Sequence, residues 1–291
     1  MTIKAYRDRD VAVCLFLFIF TVPGLLWERG NMFTIQMWQI ILIPFVGTTL
    51  GAASVFLFRQ TMGNRMQRAL TGFASGVMVA ASFFSLLLPA LDQTTEMGKL
   101  GFVPVSIGFG IGMLFLLALD MLTPHMHLDN LEEGPRSGLK RTTKLVLAVT
   151  LHNLPEGMAV GIVCAGWIYG NDVITFSGAV ALALGIAIQN FPEGAIVAVP
   201  LLGEGVPKRR TFLYGMLSGI VEPIGAILVI VASGLLIPTM PYLLSFAAGA
   251  MIYVVVEELI PEMSEGAHSN IGTISFAVGF ILMMALDVGL G

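Results

Sequence analysis

The 291-residue chain is 56% hydrophobic and only 12% charged, with a mean hydropathy of +0.87, whereas water-soluble domains run at about 45–50% apolar and about 25% charged. That makeup excludes a soluble globule and makes the lipid bilayer the solvent of the chain. A formal net charge of −4 excludes a nucleic-acid partner, which needs a basic surface.

Apolar runs bounded by charge, Gly or Pro predict nine membrane spans, at 11–27, 35–58, 67–91, 101–122, 143–168, 174–201, 209–233, 237–262 and 270–290. The chain is therefore expected to be an all-α polytopic membrane protein. The first run follows Lys4, Arg7 and Arg9 and has the outline of a signal peptide. No small-x-small cleavage site follows it, only Trp27-Glu28-Arg29, so it reads as a retained extra helix. The expected division is thus 1–34 (a cytoplasmic segment and the extra helix) and 35–291 (an eight-span core). Cys14 and Cys164 both lie in apolar runs and read as small buried hydrophobes rather than a disulfide or zinc ribbon.

Placing the N-terminus in the cytoplasm puts 13 of the 15 Lys and Arg on the cytoplasmic side, all except Arg29 and Lys99, as the positive-inside rule requires. The C-terminus then lies outside. The third core span is rich in glycine (Gly108, Gly110, Gly112), a composition that lets helices approach closely in lipid. Between spans, 123–143 carries Pro124-His125-Met126-His127, then Asp129, Glu132 and Glu133, and reads as a mobile cytoplasmic loop. His125 and His127, two residues apart beside acids, are candidates to capture a cation leaving the membrane.

The fourth and fifth core spans carry the chemistry. One reads His152-Asn153-Leu154-Pro155-Glu156-Gly157 and the other Gln189-Asn190-Phe191-Pro192-Glu193-Gly194, near copies 37 residues apart. Spacings of i, i+3 and i, i+4 put His152, Asn153 and Glu156 on one helix face, and Gln189, Asn190 and Glu193 on another. The short turn at Gly170-Asn171-Asp172 makes the two spans antiparallel neighbours. By helical rise, His152 lies about 14 Å, Gln189 about 18 Å and Glu222 of the sixth span about 20 Å from the cytoplasmic ends. Pro155 and Pro192 cannot donate to the carbonyls of Leu151 and Ile188, so a kink is expected at each.

A buried polar pair can simply join two helices. Here, however, three carboxylates stand at one depth with no buried Lys or Arg to neutralise them, at a cost of at least about 2.5 kcal/mol each. They call for a cation. Imidazole with carboxylate and amide oxygens suits zinc, iron(II), manganese(II) and cadmium rather than potassium or copper(I). Met78 offers one thioether, though such a residue is ordinarily packing filler.

An intramembrane metalloprotease would need His-Glu-x-x-His, but Asn153 follows His152 and no second His comes after Glu156. A proton-coupled transporter of an organic solute would use the same carboxylates, but such a site usually also offers a cationic or dipolar partner for its substrate. No Gly-x-x-x-x-Gly-Lys-Ser/Thr motif occurs, so this chain does not power transport with ATP. The expectation is a transporter and not an enzyme, without catalytic cofactor, with a divalent cation as cargo and the bilayer as its surroundings; a homodimer is left open as the assembly.

The paired His-Asn-x-Pro-Glu-Gly and Gln-Asn-x-Pro-Glu-Gly motifs, with Glu222-Pro223 in the next helix, resemble the ZIP family of zinc transporters in its prokaryotic branch, over about residues 35–291. The resemblance implies an eight-helix core, inward transport by alternating access, and a two-metal site. His152, Glu156, Gln189 and Glu193 match the first metal position, with Met78 nearby. Asn153, Glu156, Asn190, Glu193 and Glu222 match the second, so Glu156 and Glu193 would bridge. Many relatives have His where Gln189 stands and some have Asp where Asn190 stands; the neutral Asn190 lowers the charge of the second position. The resemblance further implies an entrance at Ser85, Asp92 and Asp287 and an exit at Asp120, His125, His127, Glu257, Glu258 and Glu262.

Overall fold

In lipid a backbone must satisfy its own N–H and C=O groups, so each apolar run closes into a helix. The computed structural model describes residues 35–57, 62–126, 132–203, 205–236, 239–266 and 268–290. Among them eight helical stretches are long and apolar enough to cross a membrane. They are α1 (Ile35–Phe56), α2 (Asn64–Asp92), α3 (Phe102–Leu122), α4 (Arg141–Ile168), α5 (Phe176–Gly203), the pair α6 (Lys208–Ser218) and α7 (Val221–Leu236), α8 (Met240–Ser264) and α9 (Ile271–Leu290). The protein is an all-α polytopic membrane protein. The leading run 11–27 lies outside the described residues.

The span expected at 209–233 is broken into α6 and α7. Pro223 has no N–H for the Gly219 carbonyl. That carbonyl instead accepts the Glu222 N–H at 3.1 Å, while the Gly219 and Ile220 N–H groups turn back onto Met216 and Leu217 at 3.2 Å. The break sets Glu222 in the first turn of α7.

The helices pack in four close pairs: α2 with α9, α1 with α5, α3 with α8, and α4 with α7. Each pair is built on a Gly-x-x-x-Gly stripe on α1 (Gly47, Gly51), α2 (Gly72, Gly76), α3 (Gly108, Gly112) or α4 (Gly157, Gly161), against which the partner's backbone rests directly. Lipid supplies no hydrophobic force between helices, so close backbone contact of this kind takes its place. Between the pairs lies an apolar core that includes Met37, Met78, Leu182, Ile186, Leu244 and Met251.

Two spans widen into a π-helical turn, at Ser82–Leu87 in α2 and Val255–Leu259 in α8. A proline follows each one, Pro89 and Pro261, and the missing proline N–H disturbs the i→i−4 ladder one turn earlier. The expected open loop at 123–143 starts instead as a small hairpin, β1 (His125–Met126) against β2 (Glu132–Glu133), with His125 paired to Glu133. His125 and Met126 are buried there because they pack back onto the helical ends.

Candidate metal centre

α4 and α5 run unbroken through Pro155 and Pro192, so the two arms keep their helical spacing. The α4–α5 and α4–α7 contacts bring both arms and Glu222 to one buried level. His152 and Glu193 are 8% exposed, and Asn153, Glu156, Gln189, Asn190 and Glu222 are 0% exposed.

The links between helices are specific. Gln189 Nε2 donates to Glu156 Oε1 at 2.6 Å, tying α5 to α4. Thr48 Oγ1 donates to Glu222 Oε1 at 2.6 Å, tying α1 to α7. Asn153 Nδ2 donates to the Ser218 carbonyl at 3.1 Å. His152 Nε2 closes on Glu258 Oε1 from the π turn of α8. Asn190 lies between Glu156 and Glu222, and Glu156 stands within repulsive range of both Glu193 and Glu222.

These bonds leave lone pairs over. Asn153 Oδ1, Glu156 Oε2, Gln189 Oε1, Asn190 Oδ1, Glu193 Oε1 and Glu222 Oε2 are buried oxygens without a hydrogen bond. A buried acceptor normally finds a donor, so six without one in a single cluster point to an electrophile. Among the described residues no three His, Cys, Asp or Glu side chains close into a metal-holding group by themselves; amide oxygens are part of the donor set. Oxygens with one imidazole favour a borderline divalent cation.

One cavity reaches the cluster and a second opens at the far end of the bundle. The first, of about 50 Å³, is lined by Met126, His152, Glu193, Glu258 and Glu262 among others. It lies toward the end of the bundle where α4 begins and reaches the centre itself. The second, of about 280 Å³, opens at the opposite end beside Ser85, Asp92 and Asp287, where Ser85 donates to the Asp287 carboxylate. Glu257 is exposed and does not line the first cavity. Met78 is fully buried in the apolar core, its carbonyl accepting from Ser82 at 2.8 Å. His127 lies outside the described residues.

Asp120 and His125 are built into structure. His125 Nε2 sits 2.9 Å from Asp120 Oδ1, its Nδ1 sits 2.8 Å from the Thr123 carbonyl, and Tyr253 Oη donates to Asp120 Oδ2 at 3.0 Å. Both imidazole nitrogens are engaged, so the ring pins the hairpin to the end of α3, whose Asp120 carboxylate also holds Tyr253 of α8. His125→Ala is expected to cost about 3 kcal/mol through the buried carboxylate it strands, seen as a lower melting temperature of the purified protein. An unchanged melting temperature with altered response to internal zinc would favour the cation-capturing role instead.

Sequence reasoning missed Thr48, whose partner lies 174 residues away. The one available signal was the polar pair Thr48-Thr49 inside an otherwise apolar span.

Residues 132–287 match the family model of the ZIP zinc transporters. The chain is 37% identical over 317 residues to zinc transporter ZIP11 of Xenopus tropicalis, covering 84% of this chain and 94% of that one. It is 40% identical over 251 residues to zinc transporter ZIPB of Bordetella bronchiseptica, covering 85% and 79%. It is 31% identical over 276 residues to zinc transporter ZupT of Salmonella heidelberg, covering 86% and 100%. With its paired His-Asn-x-Pro-Glu-Gly and Gln-Asn-x-Pro-Glu-Gly motifs, its eight described spans and these relatives together, the chain belongs to the ZIP family of zinc transporters.

Proposed function

We propose that this protein carries zinc into the cytoplasm by alternating access, through a two-metal site at mid-membrane depth. The observation that carries the reading is the set of six buried, unbonded oxygens converging from α4, α5 and α7 beside His152. His152, Glu156, Gln189 and Glu193 hold one cation, with Met78 in the neighbouring core; Asn153, Glu156, Asn190, Glu193 and Glu222 hold the second. Cadmium, iron(II) and manganese(II) suit the same donors. For Gln189 to ligate, its amide must turn Oε1 to the metal and release Glu156 Oε1, which frees a second carboxylate oxygen in the same step.

Direction follows from charge. With the N-terminus inside and nine spans, the end of the bundle where α4 begins is cytoplasmic. There the first cavity reaches His152 and Glu193, while the cavity at Ser85 and Asp287 serves as the outer entrance. An interior-negative potential favours inward movement by about 2.3 kcal/mol per charge per 100 mV. Proteoliposomes with a zinc-reporting dye inside are expected to fill from external zinc without ATP, faster under an interior-negative potential. Movement that requires ATP and runs only outward would sink the proposal.

Orientation has its own measurement. In a background with Cys14 and Cys164 replaced by Ser, Gly138→Cys is expected to react with impermeant maleimide only after cells are opened, and Asp172→Cys in intact cells. The reverse pattern would invert the topology.

A further inference from the structure

Away from the metal centre, the starts of α4 and α6 enclose a cavity of about 440 Å³ lined by Lys140, Thr142, Thr143, Arg210, Tyr214 and Val146 among others. Lys140 and Arg210 enter it from different helices. Among the described residues neither has a carboxylate partner. Segments 134–150 and 200–221 carry Arg136, Lys140, Arg141, Lys144, Lys208, Arg209 and Arg210 with one acidic residue, Glu204, and Glu132 and Glu133 come just before the first segment.

The backbone reinforces the side chains. Lys140 and Pro207 cap α4 and α6, and neither gives its helix a side-chain cap. Lys140 and Arg210 stand at the positive ends of two helix dipoles. Thr142 and Thr143 add hydroxyl donors. Positive charge and O–H donors around one concavity fit a phosphate-type anion.

What lies beside the cavity selects between a soluble phosphate and a lipid. From Arg210 and Tyr214 an exposed apolar stripe runs along α6 and α7 through Leu213, Leu217, Ile220, Ile224, Leu228 and Val231. The spacing is three or four residues, so within each of the two helices these side chains share one exposed face. The cavity opens at the ends of two membrane-spanning helices, at headgroup level, while the stripe descends from it along acyl-chain depth. Basic pockets of this kind between spans bind anionic headgroups.

We propose that this cavity binds the phosphodiester headgroup of one anionic phospholipid from the leaflet at that end of the bundle, its acyl chains lying on the α6–α7 stripe. The site joins α4, which carries His152 and Glu156, to α6, which leads into Glu222. The lipid thereby holds together the ends of the two elements whose separation sets the metal centre.

The test is native mass spectrometry of the detergent-purified protein with added phosphatidylglycerol or phosphatidylcholine, comparing wild type with Lys140→Gln, Arg210→Gln, the double variant and Arg65→Gln. Each pocket cation is worth about fivefold in affinity for an anionic lipid, so the double variant is expected to lose about twenty-fivefold. Phosphatidylcholine is expected to bind weakly to every form, and Arg65→Gln, outside the cavity, to retain phosphatidylglycerol. Equal phosphatidylglycerol retention by the double variant overturns the proposal. So does displacement of the lipid by inorganic phosphate or glycerol phosphate at comparable concentration, which would make this a soluble-anion site. Should the double variant fail to fold, the fivefold losses of the single variants decide the matter.

Discussion

Glu156→Ala or Glu193→Ala is expected to abolish zinc uptake while the protein still inserts and folds. Each carboxylate belongs to both proposed metal positions, and each has an oxygen that no donor reaches. A dication in a low-dielectric site is held chiefly by opposite charge, and an imidazole with neutral amides does not replace it. Losing even an outer partner of a metal ligand costs about 10–100-fold, so losing a bridging ligand should exceed that. Insertion is not endangered, because removing a carboxylate from mid-membrane relieves about 2.5 kcal/mol or more. Glu222→Ala touches one position only and should fall between, with Thr48→Ala, which frees the Glu222 carboxylate from its donor, milder at about tenfold. Asn190→Ala removes no charge and should cost less than either bridging Glu. Uptake by reconstituted protein at equal protein density is the measurement. Normal transport by Glu193→Ala beside a dead Asn190→Ala would sink the two-arm centre.

The second large effect lies in packing rather than ligation. A Cβ on Gly157 would stand 2.2 Å from the Glu222 carbonyl oxygen and 2.5 Å from its Cα, closer than atoms can approach. These are backbone atoms, so no side chain can turn aside. Gly157→Leu must therefore push α4 from α7 and draw Glu222 away from Glu156. Overpacking a core costs about 1–3 kcal/mol, and the backbone clash sets this variant at the upper end or beyond. Loss of uptake should come together with a lower melting temperature. Gly110→Leu is the control, since nothing lies within 4 Å of a Cβ there, and it should leave both unchanged. A Gly157→Leu protein that melts and transports like wild type would mean that the α4–α7 contact does not position the centre.

Much of the site was readable along the chain because its cause is local. His152, Asn153 and Glu156 share a face through helical spacing alone, and their copies in α5 repeat it. Contacts made across the bundle were not readable. The Pro261 that follows the α8 π turn is visible in the sequence, but that the turn delivers Glu258 onto His152 depends on α8 packing against α4. His125 gave the opposite lesson. A His among loop acids looks free to take a cation, yet the folded chain buries it against Asp120.

By itself, then, the sequence determined the solvent, the eight described spans and the composition of the two arms, because hydropathy and the 3.6-residue period act within one helix. The tertiary structure alone decided the helix pairs and the Thr48–Glu222 and His152–Glu258 links. The four glycine stripes show why. Each is visible as a spacing of four, but any small-residue stripe can accept any helix in lipid, where apolar side chains are no better off against protein than against acyl chains. Which backbone rests on Gly157 is settled only when the shapes of all the spans are satisfied at once.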